Sequence, residues 1–234
     1  ENIWIEKNMI GSSMEYPSMK TDTDGNQVMD YSKSEGWCHI YVKGALRGDR
    51  KYEDLRVIDL LPESLVIPDG KISYGVGGQY VKSVELYENY HNSGRTAVIF
   101  YLNVDEVKEV LDASDGKNSA ISFTFKVRVA DKASVGQYIN DASLVSNDFD
   151  PVSTEHTWRE DSYDLNGDGN TGDAIRWDQA AGNITAPAGV YAEKYIARAG
   201  TNDWKKTVLR FGLGDAFQYK LRVKNITNTP RRNL

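Results

Sequence analysis

The sequence predicts an all-β fold, an antiparallel β-sandwich with one short helix, on three observations. Apolar residues recur at every second position through several segments, with Ser, Thr, Lys and Arg between them, which is the pattern of half-buried strands. Those segments are rich in β-branched and aromatic residues, and Gly- and Asn-rich breaks divide them. A single stretch carries helical spacing instead.

In chain order, the first strand reads Ile3-x-Ile5-x-Lys7-x-Met9, and a second holds Cys38, Ile40 and Val42 on one face. Leu55-x-Val57-x-Asp59-x-Leu61 follows, and Val81 to Leu86 is the next strand. Val104 to Ala113 is the helix, through Val107, Val110 and Leu111. Ile121, Phe123, Phe125, Val127 and Val129 alternate along a long strand, and Tyr138-x-Asn140-x-Ala142-x-Leu144 forms a late one. Turns fall at Gly75 to Gly78, Asn92 to Gly94 and Asp115 to Asn118, and Asp22-Thr23-Asp24-Gly25 reads as one more. Strand after strand with a lone helix points to an immunoglobulin-like sandwich.

The 234 residues, 40% hydrophobic and 26% charged, suffice for one large or two small globular domains with a real core. With 28 basic and 34 acidic residues there is no electrostatic footprint for nucleic acid. Neither a long apolar run nor a basic amphipathic stretch offers membrane insertion. Protein, glycan or another copy are the partners left. The single cysteine, Cys38, excludes an internal disulfide, so any covalent staple uses other residues. No signal peptide stands at Glu1 and the pattern breaks off at the C-terminus, so the expectation is a processed or excised piece of a longer protein.

Lys7, Asp59 and Asn140 stand where the alternation demands apolar residues, so each points into the core with its apolar neighbours. A lone buried Lys, Asp or Asn is costly. Buried together from an early, a middle and a late strand, they have a chemical use: a desolvated Lys becomes a neutral amine nucleophile and a desolvated Asp a neutral acid. Such a trio can join Lys to Asn in an isopeptide cross-link. The residues alone leave a second account open, in which Lys7 snorkels to solvent, Asp59 caps a turn before Pro62 and Asn140 satisfies backbone groups at a bulge.

The pattern of Ile3 to Ile10 returns at Val190 to Ala197, with Glu6-Lys7 matched by Glu193-Lys194. Ile40-Tyr41-Val42-Lys43 corresponds to Leu221-Arg222-Val223-Lys224, and Asp54-Leu55 to Asn233-Leu234. One full copy of about 180 to 190 residues followed by the opening of a second is the signature of a tandem array. The division expected is a complete sandwich repeat over 1–183, with an insertion near 148–180, then a linker and the truncated start of a second repeat over 184–234. The linker is expected around Ala181 to Gly189, where the regular pattern lapses. Lys194 shares an apolar face with Val190, Ala192 and Ile196, but the second copy stops before any counterpart of Asp59 or Asn140.

At these residues the chain resembles a known family. Val57-x-Asp59-x-Leu61-Pro62-x-x-Leu65 is similar to the V-x-D-x-L-P-x-x-L segment of the repeated immunoglobulin-like surface domains of Gram-positive adhesins and pilus subunits, and Gly136-x-Tyr138-x-Asn140-x-Ala142 to their closing G-x-Y-x-N-x-A strand. The likeness spans about residues 1–147 and begins again at Val190, whereas 148–180 departs from it. It implies that Lys7 is the nucleophile, Asn140 the electrophile and Asp59 the catalytic acid of a spontaneous isopeptide bond of the collagen-adhesin or fimbrial type. Apolar packing from Phe123 or Phe125 would lower the Lys7 pKa and raise that of Asp59. The reaction would turn over once, so the chain is not expected to be an enzyme.

A second constellation lies in Asp164-Leu165-Asn166-Gly167-Asp168-Gly169-Asn170-Thr171-Gly172-Asp173. Oxygen side chains alternate there around the glycine that permits the sharp turn of a calcium loop. The expected ligands are Asp164, Asn166, Asp168, Asn170 and Asp173, with calcium the one cofactor the sequence suggests. Where an EF-hand has its twelfth-position Glu this loop has Ile175, so Asp173 or Asp161 has to complete the shell; an Asn/Asp/Gly-rich surface loop accounts for the same residues.

Other signals are weaker. A Cys38–Gln137 thioester is opposed by strand parity, which sets Gln137 on the face opposite Asn140, and a small buried hydrophobe is the role expected for Cys38. His39, His91 and His156 lack metal-ligand spacing, and Asn183-Ile184-Thr185 and Asn225-Ile226-Thr227 are sequons that matter only in a eukaryotic secretory setting. The expected function is a structural stalk or spacer domain of a bacterial surface protein, extracellular and attached through other parts of its parent, with neighbouring repeats as partners. Two alternatives stand beside it: a ligand-binding adhesin module whose Tyr74 to Tyr90 loops contact host protein or glycan, and an accessory module of a secreted carbohydrate-active enzyme.

Overall fold

The computed structural model describes residues 1–10, 27–30, 35–113, 119–131, 133–134, 136–152, 157–185, 190–206 and 210–225. The expected turns at Asp22 to Gly25 and Asp115 to Asn118, His156, and the 186–189 part of the expected linker lie outside them. Two compact units result, Glu1–Thr185 and Ala186–Leu234.

The first unit is an all-β sandwich with one helix. One sheet holds β1 (Asn2–Ile10), β3 (Glu35–Ala45), β8 (Ala120–Val129) and β5 (Leu65–Val66), in that order. The other runs β10 (Trp158–Glu160), β11 (Ala174–Thr185), β9 (Gly136–Val145), β4 (Arg56–Leu61), β7 (Thr96–Leu102) and β6 (Val81–Tyr87). The short β2 (Gln27–Asp30) adds to β11 in parallel, and the other pairings among the described strands are antiparallel. Helix α1 (Val104–Asp112) buries Val107 and Leu111 one turn apart, the spacing that the sequence announces.

The faces of the two sheets meet in a core built by period-two alternation. Ile3, Ile5 and Met9 from β1, Cys38, Ile40 and Val42 from β3, and Ile121, Phe123 and Phe125 from β8 oppose Val57, Val98, Phe100, Ala142 and Leu144. Phe100 lies 4.9 Å, centroid to centroid, from both Phe123 and Phe125, in tilted contacts that aromatic quadrupoles favour. Burying each such ring contributes roughly 1.5–3 kcal/mol.

A second, smaller core covers the outer face of the larger sheet, where Ile58, Leu60, Ala97, Ile99 and Val145 pack under Leu165 and Ile175. This explains why β4 reads Arg-Val-Ile-Asp-Leu-Leu without polar alternation: a strand covered on both faces is apolar on both. It also corrects the domain division. Residues 148–180 are not an insertion appended to a finished sandwich, because β10 lies within them, β11 begins there, and β11 pairs with β9 along Arg176 to Ile184. The strand expected to close the fold, β9, lies between β4 and β11, and the first unit runs through Thr185 and not 183, with Ile184 buried in the main core.

β11 also holds β1, the edge strand of the opposite sheet. The Lys7 backbone N–H, which points away from β3, donates to Asp178 Oδ2 at 2.7 Å, and Arg176 Nε donates to the Ile3 carbonyl at 3.0 Å. Side chains of one sheet thereby satisfy the free ladder edge of the other. At Gly182 the strands leave no room: an added Cβ would stand 2.3 Å from the Tyr138 ring.

The second unit pairs β12 (Val190–Arg198) with β13 (Phe217–Asn225) antiparallel. Its register reproduces that of β1 with β3: Lys194 faces Leu221 as Lys7 faces Ile40, and Ala192 faces Val223 as Ile5 faces Val42. The corresponding face is buried in the first unit, whereas Lys194, Tyr219, Leu221 and Val223 are exposed here.

Replacing Asp178 with Ala should leave the Lys7 N–H without its acceptor and cost about 1–3 kcal/mol. Native-state hydrogen exchange should then find the Lys7 amide exchanging faster, while Asp178→Asn, which keeps an acceptor oxygen, restores most of the protection. Unchanged exchange in Asp178→Ala would remove β11 as the keeper of β1.

Candidate functional site

Three strands bring Lys7, Asp59 and Asn140 together between the sheets. Lys7 comes from β1 and is 3% exposed; Asp59 from β4 and Asn140 from β9 are both 0% exposed. Lys7 Nζ makes an ion-pair contact with Asp59 Oδ2, so it neither snorkels nor leaves Asp59 to cap a turn. Asn140 sits in an unbroken ladder against Ala180, where no bulge needs its side chain.

The surroundings are apolar. Lys7 Nζ lies 5.9 Å from the centroid of the Phe125 ring, which fills the aromatic position expected of Phe123 or Phe125. The Asn140 amide nitrogen donates to Cys38 Sγ at 3.2 Å and Met9 Sδ at 3.7 Å. Sulfur is a weak acceptor, so this amide is packed without being strongly held. Asp59 Oδ1 and Asn140 Oδ1 are both buried without a hydrogen-bond partner.

That pairing of orphans is informative. Two carbonyl-type oxygens cannot bond one another, but a protonated Asp59 can donate its O–H, and an orphan acceptor nearby is the group that benefits. Burial is the largest influence on Asp59 and raises its pKa above the ordinary carboxylate value, against the opposing pull of Lys7 and a smaller one from the Asn140 side chain. For Lys7 burial is also the largest influence and pulls downward; the Asp59 charge reverses it and leaves the Lys7 pKa raised. Once Asp59 holds the proton that support is gone, and desolvation is opposed only by the smaller influences of Cys38 and Asp141. Both proton arrangements have zero net charge, and the neutral one avoids the desolvation of two ions.

Cys38 and Met9 were not assigned to this site by sequence. Parity gave Cys38 its inward face, but only the β1–β3 register, which sets Met9 opposite Cys38, shows that both meet Asn140. Burial raises the Cys38 thiol pKa, so the residue is no thiolate nucleophile, and Gln137 is exposed on the other face of β9.

The Asp164–Asp173 segment forms the β10–β11 connection, flanked by strands and not helices. Gly169 N–H donates to both oxygens of Asp164, Asp168 N–H to Asn166 Oδ1, and Asn170 N–H to Asp168 Oδ1. Asn170 is exposed, and its side chain accepts from Gly172 N–H at 3.0 Å. Among the described residues no group of three or more His, Cys, Asp or Glu is already gathered as a metal cluster. The tyrosines suggested for ligand contact pack inward for the most part: Tyr74 and Tyr80 against the main core and Tyr90 against the smaller one, with Tyr87 exposed.

No family model and no curated protein matches the chain. Its structural neighbours include Gram-positive major pilin subunits. One is SpaA of Corynebacterium diphtheriae, described as pointing to a modular pilus assembly with stabilizing isopeptide bonds: 16% identity, TM-score 0.44, covering 82% of this chain and 44% of that one. Another is BcpA of Bacillus cereus, at 13% identity and TM-score 0.42, covering 97% of this chain and 56% of that one. The T6 backbone pilin of serotype M6 Streptococcus pyogenes aligns at 13% identity and TM-score 0.39, over 94% of this chain and 48% of that one. The chain spans about half the length of these structures.

Asp59→Ala should leave Lys7 buried without its partner and destabilise the fold by about 3–5 kcal/mol, measured by chemical denaturation. Any chemistry of the trio needs the Lys7–Asp59 pair to hold one shared proton. Chain made by cell-free synthesis and folded at a series of pH values should therefore react with a bell-shaped rate profile. Its acid limb should lie above the ordinary aspartate pKa, because Asp59 is raised, and its alkaline limb should follow loss of the shared proton. A rate that climbs steadily with pH would show a simple lysine titration without Asp59.

Proposed function

We propose that this chain is a structural stalk module of a bacterial cell-surface protein, and that its first unit closes itself with an isopeptide bond between Lys7 and Asn140. The observation that carries this reading is the fully buried trio, in which an amine, an acid and a carboxamide face each other with two oxygens unsatisfied.

The chemistry follows from the arrangement. Asp59 takes the Lys7 proton, and the neutral amine attacks Asn140 Cγ while the Asp59 O–H supports the oxygen on which charge develops. Asp59 then relays a proton from the attached nitrogen to the departing amide nitrogen, so that the C–N bond to Lys7 forms, the bond to Nδ2 breaks and ammonia leaves. Weak sulfur acceptors at Nδ2 do little to resist its departure. The reaction happens once per molecule and is maturation, not turnover.

Its consequence is mechanical. β1 and β9 belong to opposite sheets, so a covalent bond between them ties the sandwich across its core. Such a tie restricts the unfolded chain as a disulfide does and keeps the sheets from parting under load. The matching register of β12 with β13 supports reading the second unit as the opening of a second repeat, with neighbouring repeats of the same polypeptide as the partners. Localisation at the cell surface belongs to this reading; no described helix is long and apolar enough to cross a membrane.

Intact mass spectrometry of the folded protein should give the sequence mass less one ammonia, with a digest yielding a branched peptide that joins Lys7 to Asn140. A full, unmodified mass would sink the proposal. Lys194, exposed and 3.8 Å from the Tyr219 ring with no acid and amide across from it among the described residues, should remain unmodified. Peptide mapping that joined Lys194 to an Asn or Asp would contradict the two-repeat division.

A further inference from the structure

We propose that the β10–β11 connection is a calcium site in which the fully buried carboxylate of Asp161 completes a shell begun by Asp164, Asn166, Asp168 and Asp173. This is independent of the isopeptide reading, since none of these residues touches Lys7, Asp59 or Asn140.

The argument starts from an uncompensated carboxylate. Asp161, just after β10, is 0% exposed, and its Oδ2 accepts the Asn166 N–H at 3.1 Å, while Oδ1 is buried with no partner. Asp173, at the other end of the connection, likewise has a buried Oδ1 without a partner. The two residues are tied through their backbones, Asp161 N–H donating to the Asp173 carbonyl at 2.8 Å, so their carboxylates stay close. A buried anionic oxygen with no donor is expensive unless a proton or a cation meets it.

What stands among the carboxylates is one neutral amide. Asn166 Nδ2 donates to Asp173 Oδ2 at 2.8 Å and to Asp168 Oδ2 at 3.2 Å, bridging two anions from different parts of the loop. Arg56 Nη2 donates to the Asn166 backbone carbonyl at 3.0 Å and its Nε to Asp54 at 2.8 Å, not to the carboxylates of the loop.

Turning the Asn166 amide over would put Oδ1 where Nδ2 now bridges, at the loss of the Asp168 N–H bond to Oδ1, and convert the neutral clasp into an oxygen ligand between Asp168 and Asp173. Carboxylate and carboxamide oxygens in a flexible loop suit calcium, which accepts six to eight oxygens at variable angles, better than magnesium with its strict octahedron. A cavity of about 520 Å³, whose charged and amide lining includes Asp150, Asn166, Asp168, Asp173 and Arg176, opens beside the loop. Ile175, where an EF-hand would place its bidentate Glu, is buried in the smaller core, and Asp161 takes over that role from the opposite side of the loop. Binding would fasten Leu165 and Ile175 over the outer face of the larger sheet.

The test is calorimetric titration of the full chain, stripped with EDTA, with calcium chloride and separately with magnesium chloride, paired with melting temperatures. Saturable one-site calcium binding that raises the melting temperature is expected, weakened roughly tenfold or more in Asp161→Asn. Because the buried Asp161 variant risks misfolding, Asp168→Asn, at an exposed position, is the second arm and should weaken binding similarly. Absence of saturable calcium binding, preference for magnesium, or calcium binding unchanged in Asp168→Asn would each overturn the site.

Discussion

The buried contact between Lys7 and Asp59 constrains the rest of the molecule, because two ionisable groups can leave water only if their charges cancel at close range. That condition requires Lys7 on β1 and Asp59 on β4, from opposite sheets and 52 residues apart, to meet in a single register. A shift of one residue along either strand would turn the polar group to the outer face and an unmatched charge would remain inside. The pair therefore pins the sandwich, and the proposed cross-link would use the same two residues. Asn140 enters the same pocket on β9, which is hydrogen-bonded to β4, so fixing Asp59 also fixes the amide.

β1 matters for a second reason. It is the edge of its sheet, and its outward backbone groups are met by Asp178 and Arg176 from β11. Arg176 also bonds Glu1 at 3.0 Å and lies 4.2 Å from the Phe149 ring. The strand that carries Lys7 is thus held at its end, along its edge and through its one buried charge. Preorganisation of this kind is what the proposed cross-link would draw on, since the geometry is set by folding and not by collision.

The outer face of the larger sheet shows how a loop can be structural. Leu165 lies within the acidic turn and Ile175 immediately after it, and both are core residues. The polar positions of that turn face one another while its apolar ones face the sheet, so a segment that reads as a surface loop closes a second core. In the second unit nothing described plays that part, and the apolar positions of β13 stay exposed beside Lys194.

Much of this was legible in the sequence because it is local. Period-two alternation placed β1, β3, β8 and β9, helical spacing placed α1, and parity alone put Lys7, Asp59 and Asn140 on inward faces. The repeat aligning Lys7 with Lys194 and Ile40 with Leu221 anticipated a register found in both units. What tertiary structure decided is what depends on pairing between distant segments. β11 hides in a stretch of mixed character because its polar residues, Arg176 and Asp178, serve the other sheet and not solvent, so alternation could not reveal it as a strand. The sulfur neighbours of Asn140 and the orphan oxygen of Asp161 follow from how strands stack and loops close, for which one-dimensional pattern has no coordinate. A sequence can state which side chains must leave water; only the packed chain determines which of them find each other there.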